Sequence, residues 1–423
     1  MTVSRSSYTD SLRFFGDSSP SALLDKYGSP LYVYNEEILR RSCATLKSAL
    51  TFPQSSVIFS TKANSNPHLL RIIREEGLMA DAMSPGEVAM LQEAGFGRDE
   101  IVYVCNNVDS EELRFAKESA SLVSVDSLDQ LDSFGRVNPH SDVMVRLNPG
   151  IGAGHHKKVI TAGKETKFGM ALESAEDLEN IQTIAARHSL RIVGLNQHVG
   201  SLFMDTAPYL DAVKWLLEKS SLFPEVEVLD FGGGFGIPYG KYSGEAPFDV
   251  AALGESLEEI LSRWIDETGY SGRFLIEPGR FVAAESALVL SRVQGIKENS
   301  GTVYVGTDIG FSVLARPMLY DAFHDIEVYG LNAEASDNRV EKEQTIVGNI
   351  CESGDIVAKD RLLPELKKGD IIGVLDAGAY GHVMSSNYTK RLRPAEVLVS
   401  LDGTPRLIRR RDSLEDLLTV YRF

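Results

Sequence analysis

Short apolar runs alternate with amphipathic segments between residues 55 and 285. Eight of these runs are rich in β-branched and aromatic residues and end at turn-forming residues, which is typical of strands. The runs lie near residues 55–61, 79–83, 101–105, 122–126, 142–147, 191–197, 226–231 and 273–277. Eight β-then-α units in a row predict a closed (β/α)8 TIM-type barrel in an α/β protein. An open doubly wound sheet uses the same units but usually fewer of them.

The segments between the runs carry recognisable helix starts. Ser84 is followed by Pro85 and Glu87, which gives a capping residue, a proline at the first helical position and a glutamate at the third. Asn66 and Pro67 open another helix in the same way. Longer helices are predicted at about 174–189, 206–220 and 249–268.

After residue 286 the pattern changes to strands and turns without regular helices, which predicts a mostly antiparallel β domain. The strand LYVYN at 31–35 precedes the barrel, and we assign it to this second domain. The predicted division is therefore a cofactor-binding barrel at 36–285, and a β domain made of 1–35 and 286–423 that contributes to the active site of a dimer.

Charge and composition narrow the choice of partners. The 423 residues include 43 Lys and Arg against 60 Asp and Glu, a formal net charge of −17 that should repel nucleic acid and anionic membranes. No apolar run approaches the ~18 residues needed to cross a bilayer, and no secretory signal is visible. Three cysteines without CxxC spacing indicate neither a disulfide framework nor a zinc site. We therefore expect a cytoplasmic protein with no nucleic-acid or membrane partner.

In a (β/α)8 barrel the active site lies at the carboxyl ends of the strands, so the residues after each run are candidates for chemistry. Lys62 follows the first run and suits an amine nucleophile, although taken alone a side chain that reaches solvent is the simpler explanation. His198 follows the sixth run, where a lone histidine is more often a core residue. Glu277 and Arg280 follow the eighth run, and a surface ion pair would explain them too.

A glycine-rich segment, DFGGGFG at 230–236, follows the seventh run. Four glycines in five positions let backbone N–H groups approach an anion closely. A plain turn does not require the conformational entropy that so many glycines cost. Together these strand ends offer an amine, an imidazole, an anion site and a carboxylate, which are the groups that pyridoxal phosphate requires.

With these residues the chain resembles the barrel-type (fold type III) pyridoxal-phosphate decarboxylases and, within them, the diaminopimelate decarboxylase family. The resemblance extends from about Pro30 to about Val399. The matching motifs are CESGD at 351–355, DAGAY at 376–380 with MSSNY at 384–388, RPMLY at 316–320, and RLNP at 146–149 with KFG at 167–169.

The resemblance implies a role for each candidate. Lys62 holds the aldehyde of pyridoxal 5'-phosphate, His198 stacks on its ring, and Glu277 pairs with its pyridine nitrogen. Cys351 and Glu352 enter the site from a second subunit, so a homodimer shares its active sites, and Cys351 is the candidate proton donor. The residues around the cofactor phosphate are Ser201, Gly234, Glu277, Gly279, Arg280 and Tyr380. The ligands of the amino-acid substrate are Arg280, Arg316, Tyr320, Glu352 and Tyr380.

The implied reaction is decarboxylation of meso-2,6-diaminopimelate to L-lysine. A carboxylate beside the pyridine nitrogen keeps that nitrogen protonated and makes the ring a strong electron sink, as a decarboxylase needs. A decarboxylase of another basic amino acid, of the ornithine, arginine or D-lysine type, is the alternative on this fold. An inactive binding protein does not explain why Lys62, Glu277 and Cys351 occur together, and a cofactor-free lysine aldolase leaves Glu277 and His198 without a purpose.

No metal site is expected, because the adjacent His155 and His156 point apart and have no carboxylate or cysteine at ligand spacing. We interpret the stretch 150–169 as a mobile loop over the barrel mouth, although a merely solvated loop explains it nearly as well.

Overall fold

The structure, a computed structural model, describes residues 7–52, 54–154, 166–329 and 339–423. The chain divides into two compact units, which we call the barrel unit and the β unit. The barrel unit comprises Arg40–Ile237 and Pro247–Val282, and the β unit comprises Met1–Leu39, Pro238–Ala246 and Ala283–Phe423.

Eight parallel strands close into a barrel in which each strand pairs with its neighbours in chain order. The barrel strands are Ser55–Ser60, Met79–Ala82, Ile101–Cys105, Leu122–Val125, Asp142–Arg146, Arg191–Asn196, Val228–Asp230 and Arg273–Ile276. Each lies within one of the eight predicted runs. The predicted (β/α)8 barrel is confirmed.

Helices connect the barrel strands, and their starts follow the predicted capping. The Ser84 side chain accepts a hydrogen bond from the Glu87 N–H at 3.2 Å, and the Asn66 side chain accepts one from the His68 N–H at 3.0 Å. The helices between residues 36 and 283 are Glu36–Ala49, Pro67–Glu75, Pro85–Ala94, Ser110–Ser119, Leu128–Val137, Ala175–Arg187, Ala207–Ser220, Val250–Thr268 and Arg280–Ala283.

The barrel interior is a packed apolar core. Its cluster of buried residues draws on seven of the eight strands, so the barrel is not a pore. The cluster consists of Ile58, Val102, Leu122, Met144, Val193, Val228 and Leu275. The site residues described below lie at or just after the carboxyl ends of these strands.

The β unit contains two mostly antiparallel sheets, as predicted. Within them only two pairs of neighbouring strands run parallel, namely Leu31–Asn35 with Ala395–Val399 and Thr302–Gly306 with Glu341–Val347. The larger sheet has the order Ile326–Tyr329, Ile371–Val374, Ala287–Arg292, Leu31–Asn35, Ala395–Val399, Pro405–Arg409. The smaller sheet has the order Gly295–Asn299, Thr302–Gly306, Glu341–Val347, Ile356–Pro364.

Short helices interrupt the β unit where the sequence predicted only strands and turns. Arg316–Tyr320 has five residues and Leu414–Thr419 has six, so neither is long enough to display a helical period. Two further helices, Ser7–Ser11 and Pro20–Tyr27, precede the first strand of this unit.

The segment Pro238–Ala246 lies inside the range predicted for the barrel domain but groups with the β unit. The Tyr242 backbone N–H donates to Asp325 at 3.0 Å, and the Lys241 ammonium pairs with Glu285.

No helix among the described residues has both the length and the apolar character needed to cross a membrane.

Candidate active site

Lys62 lies at the barrel mouth, in a 3-10 turn that directly follows the first strand. Its Nζ is 3.5 Å from Oδ2 of Asp81, whose side chain on the second strand is only 3% exposed. Asp81 also accepts hydrogen bonds from the Ser60 hydroxyl and from the Thr61 backbone N–H, each at 2.9 Å. Asp81 therefore fixes both the turn and the amine that the turn carries.

Two buried carboxyl groups, Asp230 and Glu277, lie at the ends of the seventh and eighth strands. Burial raises the pKa of Glu277 well above its usual value, and the nearby Asp230 and Asp81 raise it further. Burial likewise raises the pKa of Asp230 to about 6. Burial therefore favours the protonated form of both carboxyl groups. Oε1 of Glu277 has no hydrogen-bond partner among the described residues.

His198 follows the sixth strand, and its Nδ1 accepts a hydrogen bond from the Gly233 N–H at 3.1 Å. Burial lowers the pKa of His198 well below its usual value, and the charges of Arg146 and Lys62 lower it further. The imidazole is therefore neutral, with its proton on Nε2, because Nδ1 is the acceptor. This contact anchors a flat, uncharged ring to the glycine-rich loop.

The glycines of the DFGGGFG loop are required by close backbone approaches. A Cβ atom on Gly233 would lie 1.8 Å from the Glu277 carbonyl oxygen, and one on Gly234 would lie 2.1 Å from the Gly200 carbonyl oxygen. Gly234 also has a φ of +108°, which other residues rarely adopt. The loops after the sixth, seventh and eighth barrel strands therefore pack with their backbones in direct contact.

Arg280 adds a positive charge to this meeting point. Its Nη2 donates to the Ser201 hydroxyl at 3.0 Å, and the side chain is 5% exposed. The preceding Gly279 leaves room for the first strand, because a Cβ there would lie 2.9 Å from the Ser60 Cβ. Backbone N–H groups, a hydroxyl and a guanidinium are the donors that typically bind an anion.

In the β unit, Arg316 and Tyr320 begin and end the five-residue helix. Arg316 is only 1% exposed, and its Nη1 donates to Nε2 of His324 at 2.8 Å. The Arg316 Cζ lies 4.6 Å from the centre of the Tyr239 ring, and Tyr320 is half-buried. The guanidinium is therefore held both along one edge and over one face.

Cys351 and Glu352 lie together on an exposed turn of the β unit. The Glu352 carboxylate accepts a hydrogen bond from the Tyr388 hydroxyl. Asp355 holds the turn in shape by accepting the Ile350 backbone N–H at 2.7 Å. The thiol is thus carried on a fixed turn. The other two cysteines, at positions 43 and 105, are buried.

Tyr380 lies in the DAGAY segment, whose backbone is constrained. Asp376 and Tyr380 both have a positive φ, 57° and 55°. A Cβ on Gly378 would lie 1.9 Å from the Ala283 carbonyl oxygen. Asp376 is buried, and the Lys241 Nζ lies 3.5 Å from its Oδ1.

The candidate residues thus fall into groups, each positioned within its own unit. The barrel mouth collects Lys62, His198, Ser201, Gly234, Glu277, Gly279 and Arg280. The β unit carries Arg316 and Tyr320 on one helix, Cys351 and Glu352 on one turn, and Tyr380 on a further loop.

The sequence analysis missed three contact residues. Asp81 had a signal, since an aspartate in the apolar run MADAM must be buried with a partner. Tyr239 had none, because it lies in a distant part of the sequence. His324 lies only eight positions after Arg316, but it is beyond the end of the helix Arg316–Tyr320, so no regular spacing predicts their contact.

The structure describes only part of the stretch 150–169. His155, His156, Lys157, Lys158 and Lys164 lie outside the described residues, whereas Lys167 lies with its Nζ 5.0 Å from the centre of the Phe168 ring. In the described part of the chain, no group of three or more His, Cys, Asp or Glu is placed to hold a metal ion.

The barrel mouth fits pyridoxal phosphate in three respects. The Lys62 amine can attach an aldehyde, and the Glu277 carboxyl has a buried oxygen without a partner among the described residues. The glycine loop, whose space a Cβ would fill, suits a phosphate beside Arg280 and Ser201.

Comparisons with known proteins agree with this fit. Residues 36–284 match the family model of the pyridoxal-dependent decarboxylase, pyridoxal binding domain. Diaminopimelate decarboxylase of Methanothermobacter thermautotrophicus is 37% identical over 95% of this chain and 94% of its own length.

Solved structures give the same result. A diaminopimelate decarboxylase crystal structure has a TM-score of 0.87 and 33% identity, over 94% of this chain and 95% of that one. The Helicobacter pylori enzyme complexed with L-lysine has a TM-score of 0.84 and 28% identity, over 95% and 99% of the two chains. The chain belongs to the pyridoxal-dependent decarboxylases and, within them, to the diaminopimelate decarboxylase family.

Proposed function

We propose that this protein converts meso-2,6-diaminopimelate to L-lysine and CO2, with pyridoxal 5'-phosphate as its cofactor. The observation that carries the proposal is the buried carboxyl pair, Asp230 and Glu277, which lies in the same barrel mouth as the Lys62 amine and leaves Oε1 of Glu277 without a partner among the described residues. An acid at this place suits decarboxylation, whereas an arginine would suit a racemase because it would weaken the electron sink.

The barrel residues hold the cofactor. Lys62 would be its covalent attachment point, His198 would stack on its ring, and Glu277 would keep its pyridine nitrogen protonated. Ser201, Gly234, Gly279 and Arg280 would hold its phosphate, together with Tyr380 of the β unit. When bound, the cofactor supplies a sink for the electron pair that departing CO2 leaves behind. Asp81 keeps the Lys62 amine at its place on the turn, and the neutral His198 adds no charge beside the ring.

The β-unit residues bind the substrate. Diaminopimelate has a second amino-acid head, so its distal end presents both an ammonium and a carboxylate. Glu352 binds the ammonium, while Arg280, Arg316 and Tyr320 bind the carboxylate, a contact that a guanidinium can make with two parallel N–H bonds. Tyr380 contacts the substrate as well. The Cys351 thiol gives Cα the proton that replaces CO2.

The direct test uses the purified holoenzyme and meso-diaminopimelate. We expect equal amounts of CO2 and lysine, with the lysine entirely in the L form, since the D-centre loses its carboxylate. Absence of CO2, or a product other than L-lysine, would overturn the proposal.

We also infer that two chains form each active site. In support, Cys351 and Glu352 lie on an exposed turn, as residues that reach into a partner must. Mixing inactive Lys62→Ala and Cys351→Ala subunits should restore about a quarter of wild-type activity, because random pairing makes half of the dimers hybrid and each hybrid has one intact site. No recovery after verified subunit exchange would place Cys351 in the site of its own chain.

A cytoplasmic location is part of the same proposal. All three cysteines are free thiols, one of them exposed, which suits a reducing compartment. Fractionation of the native cells with an antibody tests it.

A further inference from the structure

The buried contacts of Arg316 indicate how the enzyme recognises the distal carboxylate. We propose that His324 is a positioning residue that orients Arg316 and thereby sets the preference for a ligand with a distal carboxylate. The inference rests on the proposed function, which assigns that carboxylate to Arg316.

His324 is joined to the protein through both ring nitrogens. It is completely buried, its Nε2 lies 2.8 Å from the Arg316 Nη1, and its Nδ1 lies 2.7 Å from the Leu375 carbonyl oxygen. A guanidinium can only donate, so Nε2 is the acceptor and the proton is on Nδ1, which donates to Leu375. The ring is therefore a neutral imidazole in one fixed tautomer.

Tyr239 is the second residue that holds the Arg316 guanidinium in place. Its ring covers a face of the Arg316 guanidinium, with 4.6 Å between Cζ and the ring centre. The same ring meets His324 edge-on, with 5.1 Å between the ring centres and an angle of 78°. One edge and one face of the guanidinium plane are thus fixed by two rings that also fix each other.

The direction of the guanidinium matters because carboxylate recognition is geometric. A planar fork binds a carboxylate through two parallel N–H bonds only when the two planes are aligned. A displacement of about 1 Å in a supporting group is enough to weaken such a contact. Removal of the Nε2 acceptor frees the fork to rotate, and the substrate carboxylate loses most of its alignment.

Leu375 connects the His324–Arg316 contact to the loop that we assign to the cofactor phosphate. It lies between the strand Ile371–Val374 and the DAGAY segment that carries Tyr380. His324 thus spans from the substrate arginine to the start of the loop that we assign to the cofactor phosphate. This places the two assigned functions on one rigid connection.

Two substitutions separate the two hydrogen bonds. His324→Asn keeps a donor where Nδ1 faces Leu375 but cannot reach Arg316. His324→Gln extends an amide oxygen to about the position of Nε2 and can still accept from Arg316.

The probes are L-lysine, which retains the distal carboxylate, and cadaverine, which is the same chain without it. Their affinities are measured on each holoenzyme by competitive inhibition and by perturbation of the cofactor absorption.

For H324N we expect L-lysine affinity to fall about ten- to a hundredfold, the usual effect of one contact to a charged group, while cadaverine affinity changes less than about twofold. H324Q should recover most of the loss, and cofactor absorption should persist in both variants. Equal losses for both probes, or no loss in H324N, would overturn the positioning role. If H324N does not fold, H324Q decides: a wild-type ratio between the probes supports the role, and a collapsed ratio contradicts it. A wild-type enzyme that does not distinguish the probes would instead refute the assignment of the distal carboxylate to Arg316, on which the inference rests.

Discussion

In the barrel unit the reactive side chains directly follow strand ends, whereas in the β unit they lie on turns, loops and a five-residue helix. Lys62, His198 and Glu277 each come after a strand of a closed, regular barrel. Arg316 and Cys351 depend on local contacts, namely the His324 bond and the turn that Asp355 holds. The difference teaches that barrel topology assembles all the groups assigned to the cofactor except Tyr380, while most of the groups assigned to the substrate lie on irregular segments that can change without disturbing the barrel.

The two units also bury acids differently. In the barrel, Asp230 and Glu277 are buried near each other, and burial raises the pKa of both carboxyl groups. In the β unit, Asp376 lies near the Lys241 ammonium, and burial still raises its pKa to about 8. The first arrangement can serve chemistry, and the second serves the shape of the DAGAY segment.

The largest effect is expected from Lys62→Ala. The variant should fold, since the change removes one polar group at a strand end, but activity should fall by at least the roughly 10²–10⁴-fold that a positioned proton-transfer group contributes. Borohydride reduction followed by peptide mass mapping should attach the cofactor to residue 62 in the wild type and nowhere in the variant. A trapped cofactor on another lysine of the variant would show that Lys62 is the wrong residue.

Glu277→Gln should reduce kcat by about 10²–10³-fold, because an amide cannot supply the proton that stabilises the developing charge. Asp230→Asn is the matched control, since it removes the neighbouring acid and keeps Glu277. Steady-state kinetics with the cofactor absorption recorded in parallel measure both. Retention of more than a tenth of wild-type kcat in E277Q would place the electron-sink role elsewhere.

Arg316→Ala tests the role of the β unit in substrate selection. Loss of one charge-assisted contact should lower kcat/KM for meso-diaminopimelate about ten- to a hundredfold, with cofactor absorption intact. The loss should be far smaller for D-lysine, which lacks the second carboxylate. Arg292→Ala, which removes a guanidinium paired with Asp25 at 2.6 Å, is the control and should leave both substrates unchanged. Equal damage to both substrates would mean that Arg316 only supports the fold.

Asp376→Asn should have the smallest effect, visible only as a change in pH dependence. Burial raises the pKa of Asp376 to about 8, so the folded protein keeps this proton up to about that pH, whereas the usual pKa of a free aspartate is about 3.9. The stabilisation is therefore complete below about pH 4 and is lost as the pH rises towards 8. Asparagine imitates the protonated form, so Tm of the variant should match the wild type at about pH 4 and exceed it by a growing margin as the pH rises to 9. Parallel Tm curves across this range would contradict the raised pKa.

The sequence predicted the barrel well because every strand run, from SSVIFST to RFLIE, carried its own pattern, and the order of the runs implied the mouth. It could not predict the groups that meet by folding. The Asp81 contact with Lys62 joins neighbouring strands, and the cluster of Tyr239, His324 and Arg316 joins two separate segments of the β unit. The short helix Arg316–Tyr320 was also missed, because five residues cannot show a period.

The most direct test of the central claim is a competition between meso-diaminopimelate, D-lysine and L-ornithine for the wild-type holoenzyme. Only the first has a distal head with both an ammonium and a carboxylate, so one Arg316 contact alone should give it a kcat/KM at least about tenfold above the others. A preference for L-ornithine would contradict the assignment of the β-unit residues to a distal carboxylate.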